Sequence, residues 1–343
     1  MPTWNGFDVM SAESYTPHMP SSKQTPLGVE EIGFWLPPDQ VDNLEVGKRH
    51  DFPEDFITEK LGIQSRHQLS GSLGVSDMAA SAIQVLLSDA EASADEIEFL
   101  ALVTQTGDFS LPHTSAIVQE KAGLPETAFV FDISLGCSGF VMGLDIAIGT
   151  MERLGLDRGI LVTADAYTKI VDPNDRSTSP LFGDAAAATL LSRSAKWTMG
   201  QSAYGSRGIL YDKLIVRGSG SAGGRQDPLY MDGRAILDFT RKAVPESVEN
   251  VLKVNGLSPE DVDHFVFHQA NGFVLDTLTR DLELDAMKVV RSFSDIGNTT
   301  SSSVPIALKR EIIDSSSAGN VVLVSGFGVG LSWSSSVLFR AQT

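Results

Sequence analysis

The chain has 343 residues, of which 42% are hydrophobic, 20% are charged and one is a cysteine, and this composition excludes a disordered, collagen-like or disulfide-stapled protein. Its 26 Lys and Arg against 44 Asp and Glu give a net charge of −18, which disfavours binding to nucleic acid or to an anionic membrane and favours small-molecule substrates. The longest apolar runs are too short to cross a bilayer, and no basic segment followed by an apolar run marks the N-terminus, so we expect a reducing, cytoplasmic setting.

The predicted elements begin after a flexible N-terminal extension over residues 1–27, where Ser, Pro, Thr and single aromatic residues mix without a period. The ordered fold is expected to start near Gly28. From there short β-like runs alternate with helical ones, which predicts an α/β fold. The predicted strands are residues 97–103, 128–132, 160–163, 185–191, 265–267, 288–290 and 321–324.

The second half of the chain repeats the apolar pattern of the first. Three blocks recur in the same order, which is typical of a duplicated unit. Residues 83–97 recur at 248–262 with an offset of 165, residues 124–130 at 284–290 with an offset of 160, and residues 160–162 at 321–323 with an offset of 161. We therefore predict two similar α/β halves, at residues 28–196 and 197–343.

The offset of 161 places Cys137 opposite Asn298. Each follows a predicted strand and a short turn and precedes a predicted helix, over residues 138–148 and 299–313, so two helix N-termini would point at one central cleft. A lone cysteine is more often a small buried apolar residue. Here the helix N-terminus is expected to lower the thiol pKa and favour the thiolate, and Gly136 and Gly139 leave room for a substrate. Cys137 is therefore predicted to be a nucleophile.

Among the six histidines, His268 is the one whose position suggests a role in that cleft. It ends a predicted strand and opens a turn that leads to a helix, so its ring can project over Cys137 and Asn298. His264 lies four residues earlier on the strand, where a structural role is favoured. A metal site on this pair is not expected, because a strand that turns into a loop has no rigid spacing of four residues.

With Cys137, His268 and Asn298 in these positions, the chain resembles the β-ketoacyl-(acyl carrier protein) synthase III family of thiolase-like condensing enzymes. The matching segments occur in the family order over residues 28–340. They are Gly-Cys137-Ser-Gly-Phe, Val-Asp-Pro-Asn-Asp-Arg176, Leu-Phe-Gly-Asp184-Ala, His268-Gln-Ala-Asn271, Gly-Asn298-Thr-Thr-Ser and Gly-Phe-Gly-Val-Gly330-Leu-Ser-Trp333. The resemblance implies a five-layered αβαβα fold built from two pseudo-repeated halves, and a Cys137-His268-Asn298 triad.

The activity that the resemblance implies is a decarboxylative Claisen condensation, in fatty-acid initiation or in a specialised fatty-acid or polyketide-like pathway. Cys137 would take the acyl group of a thioester, with the oxyanion held by its own backbone N–H and that of Val329. His268 and Asn298 would then hold the enolate oxygen formed when a malonyl thioester loses CO2.

The resemblance also implies substrate-binding residues and partners. Phe56 stands where the family commonly has a Trp that clamps the adenine of coenzyme A against an Arg, here Arg176, and Leu111 stands where a Phe limits the acyl pocket in several relatives. Asn271 and Phe273 are the remaining candidates, at the turn after His268. The expected substrates are acyl-CoA and a malonyl thioester, with an acyl carrier protein as an open alternative, no cofactor and no metal. A homodimer is expected, paired through residues 128–132.

Two other functions stay open at this point. The same scaffold could transfer the acyl group from Cys137 to an alcohol or an amine, forming an ester or amide without decarboxylation. The chain could also be a non-catalytic partner subunit, although such subunits usually lose a member of the triad.

Overall fold

The computed structural model describes residues 25–218, 220–315 and 319–341, so the predicted N-terminal extension lies almost entirely outside the described residues. Ten of the fourteen strands found in these described ranges join one sheet, and the other four form two small antiparallel pairs. The strands are β1 Gly28–Trp35, β2 Asp39–Asp42, β3 Ser65–Gln68, β4 Phe99–Val103, β5 Phe129–Ile133, β6 Arg158–Asp165, β7 Ala185–Ser192, β8 Trp197–Met199, β9 Ala203–Ser206, β10 Leu214–Ile215, β11 Tyr230–Met231, β12 His264–Phe267, β13 Val321–Gly328 and β14 Ser332–Arg340.

The large sheet has the order β12-β13-β14-β8-β1-β7-β6-β4-β5, with β9 also paired to β14. At one end, β5, β4 and β6 are parallel, and β7 and β1 follow antiparallel. At the other end, β12 and β13 are parallel, β14 is antiparallel, and β8 and β9 pair antiparallel with β14. Both sides thus run from parallel to antiparallel pairing, with two parallel pairs on the first side and one on the second, and β8 joins them by pairing with β1 as well. The predicted boundary between residues 196 and 197 falls at the start of β8 and stays a prediction.

In the part of the chain that the structure describes, seven α-helices cover the two halves of the sheet and lie between them. They are α1 Asn43–Arg49, α2 Val75–Asp89, α3 Thr114–Lys121, α4 Gly139–Leu154, α5 Gly233–Val254, α6 Gly272–Asp281 and α7 Ser303–Leu308. The helices α4 and α7 share one hydrophobic cluster with strands of both halves, whereas α2 and α3 pack on the first half and α5 and α6 on the second. This arrangement gives five layers, with α4 and α7 in the middle one.

The helix α7 is buried on every side, whereas α4 buries the side that faces the sheet and leaves Asp145, Ile146 and Gly149 exposed. All six residues of α7 are buried, and α4 buries Phe140, Val141, Leu144 and Met151. A helix that is apolar around its circumference needs neighbours on both sides, which the two halves of the sheet supply. None of the helices within the described residues is long and apolar enough to cross a membrane.

Most of the predicted strands are confirmed, including β4, whose five residues are all buried. The prediction of a strand at residues 288–290 is wrong, because Ala286–Lys288 is a 3₁₀ turn. A single β-bridge, between Val289 and Phe265, pairs this segment with β12. The helix predicted at residues 299–313 is a 3₁₀ turn over Thr300–Ser302, followed by α7 and a π-helical turn.

Candidate active site

Cys137 lies in the connection between β5 and α4, two residues before the helix begins, and its side chain is buried. The strand β13 passes directly over it. A Cβ atom added to Gly328 would lie 3.0 Å from the Cys137 Sγ, and one added to Gly326 would lie 2.5 Å from the Cys137 carbonyl oxygen. These two glycines therefore let β13 approach the nucleophile more closely than a larger residue would allow.

The pKa of the Cys137 thiol is raised, to about 12, which corrects the expectation of a lowered pKa. Burial is the main cause, and the negative charge of Asp165 adds to it. The backbone N–H groups of Cys137 and Val329 point at the sulfur and lower its pKa, but they do not outweigh the loss of solvent. The resting nucleophile is a thiol, and the two N–H groups are the pair that the sequence analysis assigned to the oxyanion.

His268 follows β12, where its backbone N–H donates to the Ser325 carbonyl at 2.7 Å. Its Nδ1 is 2.7 Å from the Ser303 Oγ, which also accepts a hydrogen bond from the Gln269 N–H at 3.3 Å. When Ser303 donates to Nδ1, the ring proton sits on Nε2. Burial lowers the pKa of His268 to about 3, so the ring is neutral at physiological pH. A neutral imidazole with its proton on Nε2 is a hydrogen-bond donor that does not carry a charge into the site.

Asn298 lies in a turn where both its backbone N–H and its backbone carbonyl are hydrogen-bonded. Its N–H donates to the Leu181 carbonyl at 2.9 Å, and its carbonyl accepts from the Gly183 N–H at 3.1 Å. The side-chain Oδ1 accepts a hydrogen bond from the Thr300 N–H at 3.0 Å. Because the oxygen of the amide is occupied in this way, its NH2 group is left for the cavity.

The structure brings these three residues together in one cavity of about 110 Å³. Cys137, His268 and Asn298 share its wall with Asn271, whose Oδ1 also caps α6 by accepting from the Val274 N–H at 2.9 Å. Most of the remaining wall is apolar. It includes Leu181, Phe182, Leu214, Met231, Ile236, Leu237, Val274 and Phe327. An apolar cavity with a nucleophile and two neutral donors suits an acyl thioester better than a charged substrate.

Phe56 and Arg176 do not face each other directly. The Arg176 Cζ lies 4.6 Å from the centroid of the Phe52 ring, and Phe52 in turn stacks on Phe56 with a centroid distance of 4.5 Å and an interplanar angle of 15°. The side chain of Phe52 thus occupies the slot that the sequence analysis reserved for the adenine ring. Sequence reasoning missed Phe52 because nothing in the local pattern distinguishes it from Phe56.

The structure places two other predicted site residues away from this cavity. Leu111 is 87% exposed, in the loop before α3, and Phe273 is 51% exposed on the first turn of α6. Neither lines the cavity within the described chain.

Several buried polar residues that were not predicted from the sequence lie next to Cys137, His268 and Asn298. They are Asp165, at the end of β6, and the hydroxyl residues 299–303. A carboxylate that ends an otherwise apolar strand, and five consecutive hydroxyl residues in front of an apolar helix, were the available signals.

The chain is similar to proteins of one family along most of its length. Residues 131–208 match the sequence model described as 3-oxoacyl-(acyl-carrier-protein (ACP)) synthase III, and residues 252–339 match the model of its C-terminal part. The β-ketoacyl-(acyl-carrier-protein) synthase III of Lactococcus lactis subsp. lactis is 32% identical over 320 residues, which cover 90% of this chain and 98% of that protein.

Solved structures of similar proteins superpose closely. The 3-oxoacyl-(acyl carrier protein) synthase from Burkholderia xenovorans LB400 has a TM-score of 0.84 and 31% identity, covering 93% of this chain and 95% of that one. The priming β-ketosynthase from the R1128 polyketide biosynthetic pathway has a TM-score of 0.83 and 29% identity, covering 95% of this chain and all of that one. The thiolase-like fold expected from the sequence is confirmed.

Proposed function

The chain belongs to the 3-oxoacyl-(acyl-carrier-protein) synthase III family, and from its site we propose that it catalyses the decarboxylative condensation of an acyl thioester with a malonyl thioester. The observation that carries the proposal is that Cys137, with two backbone N–H groups on its sulfur, shares one cavity with His268 and Asn298. This grouping supports the roles proposed for these residues: Cys137 as the nucleophile, the two N–H groups as the oxyanion hole, and His268 and Asn298 as the enolate donors.

In the first step Cys137 attacks the carbonyl carbon of the acyl thioester. The new C–S bond forms while the negative charge moves to the carbonyl oxygen, where the N–H groups of Cys137 and Val329 stabilise it. Collapse breaks the bond to the donor's sulfur, and the proton of the Cys137 thiol leaves with that sulfur as the free donor thiol. An acyl-Cys137 thioester remains.

In the second step a malonyl thioester enters and its C–C bond to the carboxylate breaks, releasing CO2. The electron pair becomes a thioester enolate whose oxygen accepts hydrogen bonds from the His268 Nε2–H and the Asn298 NH2. Both donors are neutral, so neither protonates the carbanion as readily as a charged acid would. The carbanion attacks the acyl-Cys137 carbonyl, and collapse gives the β-ketoacyl thioester and a thiolate that takes up a proton.

The proposal assigns acyl-CoA or an acyl-carrier thioester as the donor and requires no cofactor, because the substrates supply both the electrophile and the leaving CO2. A free thiol must persist for this chemistry, which supports a reducing, cytoplasmic setting. Phe52 in the slot between Phe56 and Arg176 favours a donor that does not depend on adenine stacking.

The proposal includes a homodimer. The strand β5 is the last strand of the sheet, and its Phe129 is 48% exposed. The nearby loop exposes Phe109 by 65% and Leu111 by 87%. An unpaired edge strand beside exposed apolar side chains favours pairing with a second copy, which would bury Leu111 against the partner's acyl pocket.

The experiment that tests the proposal is to incubate the protein with an acyl-CoA and malonyl-CoA and to measure CO2 and the β-ketoacyl product, with the intact-protein mass read after acyl-CoA alone. Alcohol and amine acceptors are tested in parallel without malonyl-CoA. The proposal predicts CO2 and β-keto product in equal amounts. Ester or amide formation without CO2 would favour the alternative acyltransferase, and the absence of any acyl group on Cys137 would favour a non-catalytic subunit.

A further inference from the structure

The carboxylate of Asp165 is the most heavily hydrogen-bonded buried charge next to the site, and the proposed mechanism leaves it without a role. It lies at the end of β6 in the first half of the chain. Its Oδ1 accepts from the Gln105 N–H at 2.9 Å, and its Oδ2 accepts from the Thr300 Oγ1 at 2.7 Å and the Ser301 Oγ at 2.6 Å. Weaker contacts at 3.4 and 3.3 Å come from the hydroxyls of Thr104 and Thr106.

Thr300, one of these donors, has an unusual backbone. Its φ is +51°, in the left-handed region that a β-branched residue rarely adopts. The hydrogen bond from its side chain to Asp165 ties this residue to β6, in the opposite half of the fold. We attribute the persistence of the left-handed conformation to that anchor, because such backbone conformations survive where surrounding contacts fix them.

The same left-handed residue orients the Asn298 amide. The Thr300 N–H donates to the Asn298 Oδ1 at 3.0 Å, so the amide oxygen is engaged by the backbone and the NH2 group is left for the cavity that Asn298 lines with Cys137 and His268. If the amide turned by 180°, its NH2 would face the Thr300 N–H, and two donors would meet. The conformation of Thr300 therefore decides which end of the amide the substrate meets.

We infer that Asp165 and Thr300 are positioning residues for the enolate donor Asn298: the buried carboxylate holds Thr300 in its left-handed conformation, and Thr300 holds the amide with its NH2 toward the substrate. This inference rests on the proposed function, because it concerns the second step alone. It predicts that loss of the hydrogen bond between the Thr300 hydroxyl and Asp165 slows decarboxylation and leaves acyl transfer to Cys137 unchanged.

Ser301 provides a matched control. Its hydroxyl bonds to the same Asp165 oxygen as the Thr300 hydroxyl, at nearly the same distance, but Ser301 makes no hydrogen bond to Asn298. Loss of either hydroxyl removes one hydrogen bond from one buried carboxylate. Only the loss of the Thr300 hydroxyl frees the residue that orients the amide.

The experiment compares Thr300→Val, Thr300→Ser, Thr300→Gly and Ser301→Ala with wild type. Acylation of Cys137 by acyl-CoA is followed by intact-protein mass, condensation with malonyl-CoA by CO2 release, and folding by thermal unfolding. Thr300→Val should slow condensation by about 10- to 100-fold, approaching the loss of a single oxyanion-type donor, with acylation changed by less than about threefold. Thr300→Ser and Ser301→Ala should stay within about threefold of wild type in both steps.

Thr300→Gly tests whether the left-handed conformation of residue 300, and not its hydroxyl group, orients the Asn298 amide. Glycine adopts a positive φ without strain, so its N–H can reach Asn298 without the anchor, and this variant should recover part of the condensation that Thr300→Val loses. Adding Thr300→Val to Asn298→Ala should cause no further loss in condensation, since the amide is already gone.

The outcomes separate this inference from the proposed function. Wild-type protein that releases no CO2 would contradict both the proposed function and this inference. Active wild type with equal condensation in Thr300→Val and Ser301→Ala, or an equal loss of both steps in Thr300→Val, would overturn the inference alone. If Thr300→Val does not fold, the Thr300→Gly variant decides. Loss of acylation and condensation to the same extent in Thr300→Gly would overturn the inference.

Discussion

A methyl group at Gly328 would test how tightly the fold holds the nucleophile. In Gly328→Ala the new Cβ would lie 2.9 Å from the Cys137 Cβ and 3.0 Å from its Sγ. Non-bonded heavy atoms of this size normally sit about 3.5–4.0 Å apart, so one group must move by about 0.5–1 Å. The strand β13 is hydrogen-bonded to β14 at this point, where Gly328 pairs with Ser332, so the Cys137 side chain is the part that yields.

A displacement of this size takes the sulfur out of reach of the Val329 N–H and out of line with the thioester carbonyl. A misplacement of about 1 Å costs roughly 100-fold in rate, so acylation of Cys137 should fall by about that factor. The assay is intact-protein mass after mixing with acyl-CoA, sampled over time.

Gly149→Ala is the matched control, since Gly149 lies on the exposed side of α4 and a Cβ there meets no atom within 4 Å. It should acylate like wild type and unfold at a slightly higher temperature, gaining about 0.4–1 kcal/mol. Acylation of Gly328→Ala at the wild-type rate would refute the close approach of β13 to the nucleophile.

Four further predictions concern the chemistry and the substrate. His268→Ala and Asn298→Ala should each slow CO2 release by about 100-fold and largely spare acylation, because both donors act on the enolate oxygen; equal loss of both steps would contradict the assignment. Since the pKa of Cys137 is about 12, its alkylation by iodoacetamide should accelerate about tenfold for each pH unit from pH 7 to 10, and a plateau near pH 8.5 would show an ordinary thiol. Phe52→Ala should open the slot between Phe56 and Arg176 and lower the KM for acyl-CoA by roughly fivefold or more, with no such gain for acyl-pantetheine; unchanged values would show that the slot does not take the adenine. Leu111→Phe should shift the acyl-CoA preference toward acetyl, each methylene that is no longer buried costing about 0.8 kcal/mol, and an unchanged chain-length profile would remove Leu111 from the acyl pocket.

Much of the fold follows from local sequence patterns. Buried strands such as β4 are continuous apolar runs, so their positions can be predicted without tertiary information. The apolar repeat predicts that Cys137 and Asn298 face each other, and the position of His268 at the end of a predicted strand adds the third residue. Resemblance to the family then assigns the chemistry.

The remaining features depend on contacts between distant segments. The raised pKa of Cys137 comes from burial under β13, nearly 200 residues later in the chain, and helix position alone predicts the opposite sign. The break in the helix predicted at residues 299–313 reflects side chains that bond elsewhere: Thr300 to Asp165, and Ser302 to the Thr163 carbonyl at 2.9 Å. The position of Phe52 between Phe56 and Arg176 is likewise a tertiary packing outcome.

The most direct test of the central claim is a single-turnover chase. Protein is acylated with an acyl-CoA, freed of excess donor, and mixed with malonyl-CoA while its intact mass is followed. The account predicts that the acyl mass on Cys137 disappears at the rate at which CO2 and β-ketoacyl product appear, and that Cys137→Ala gains no mass at all. An acyl group that stays on the protein while CO2 is released, or a mass gain on Cys137→Ala, would contradict it.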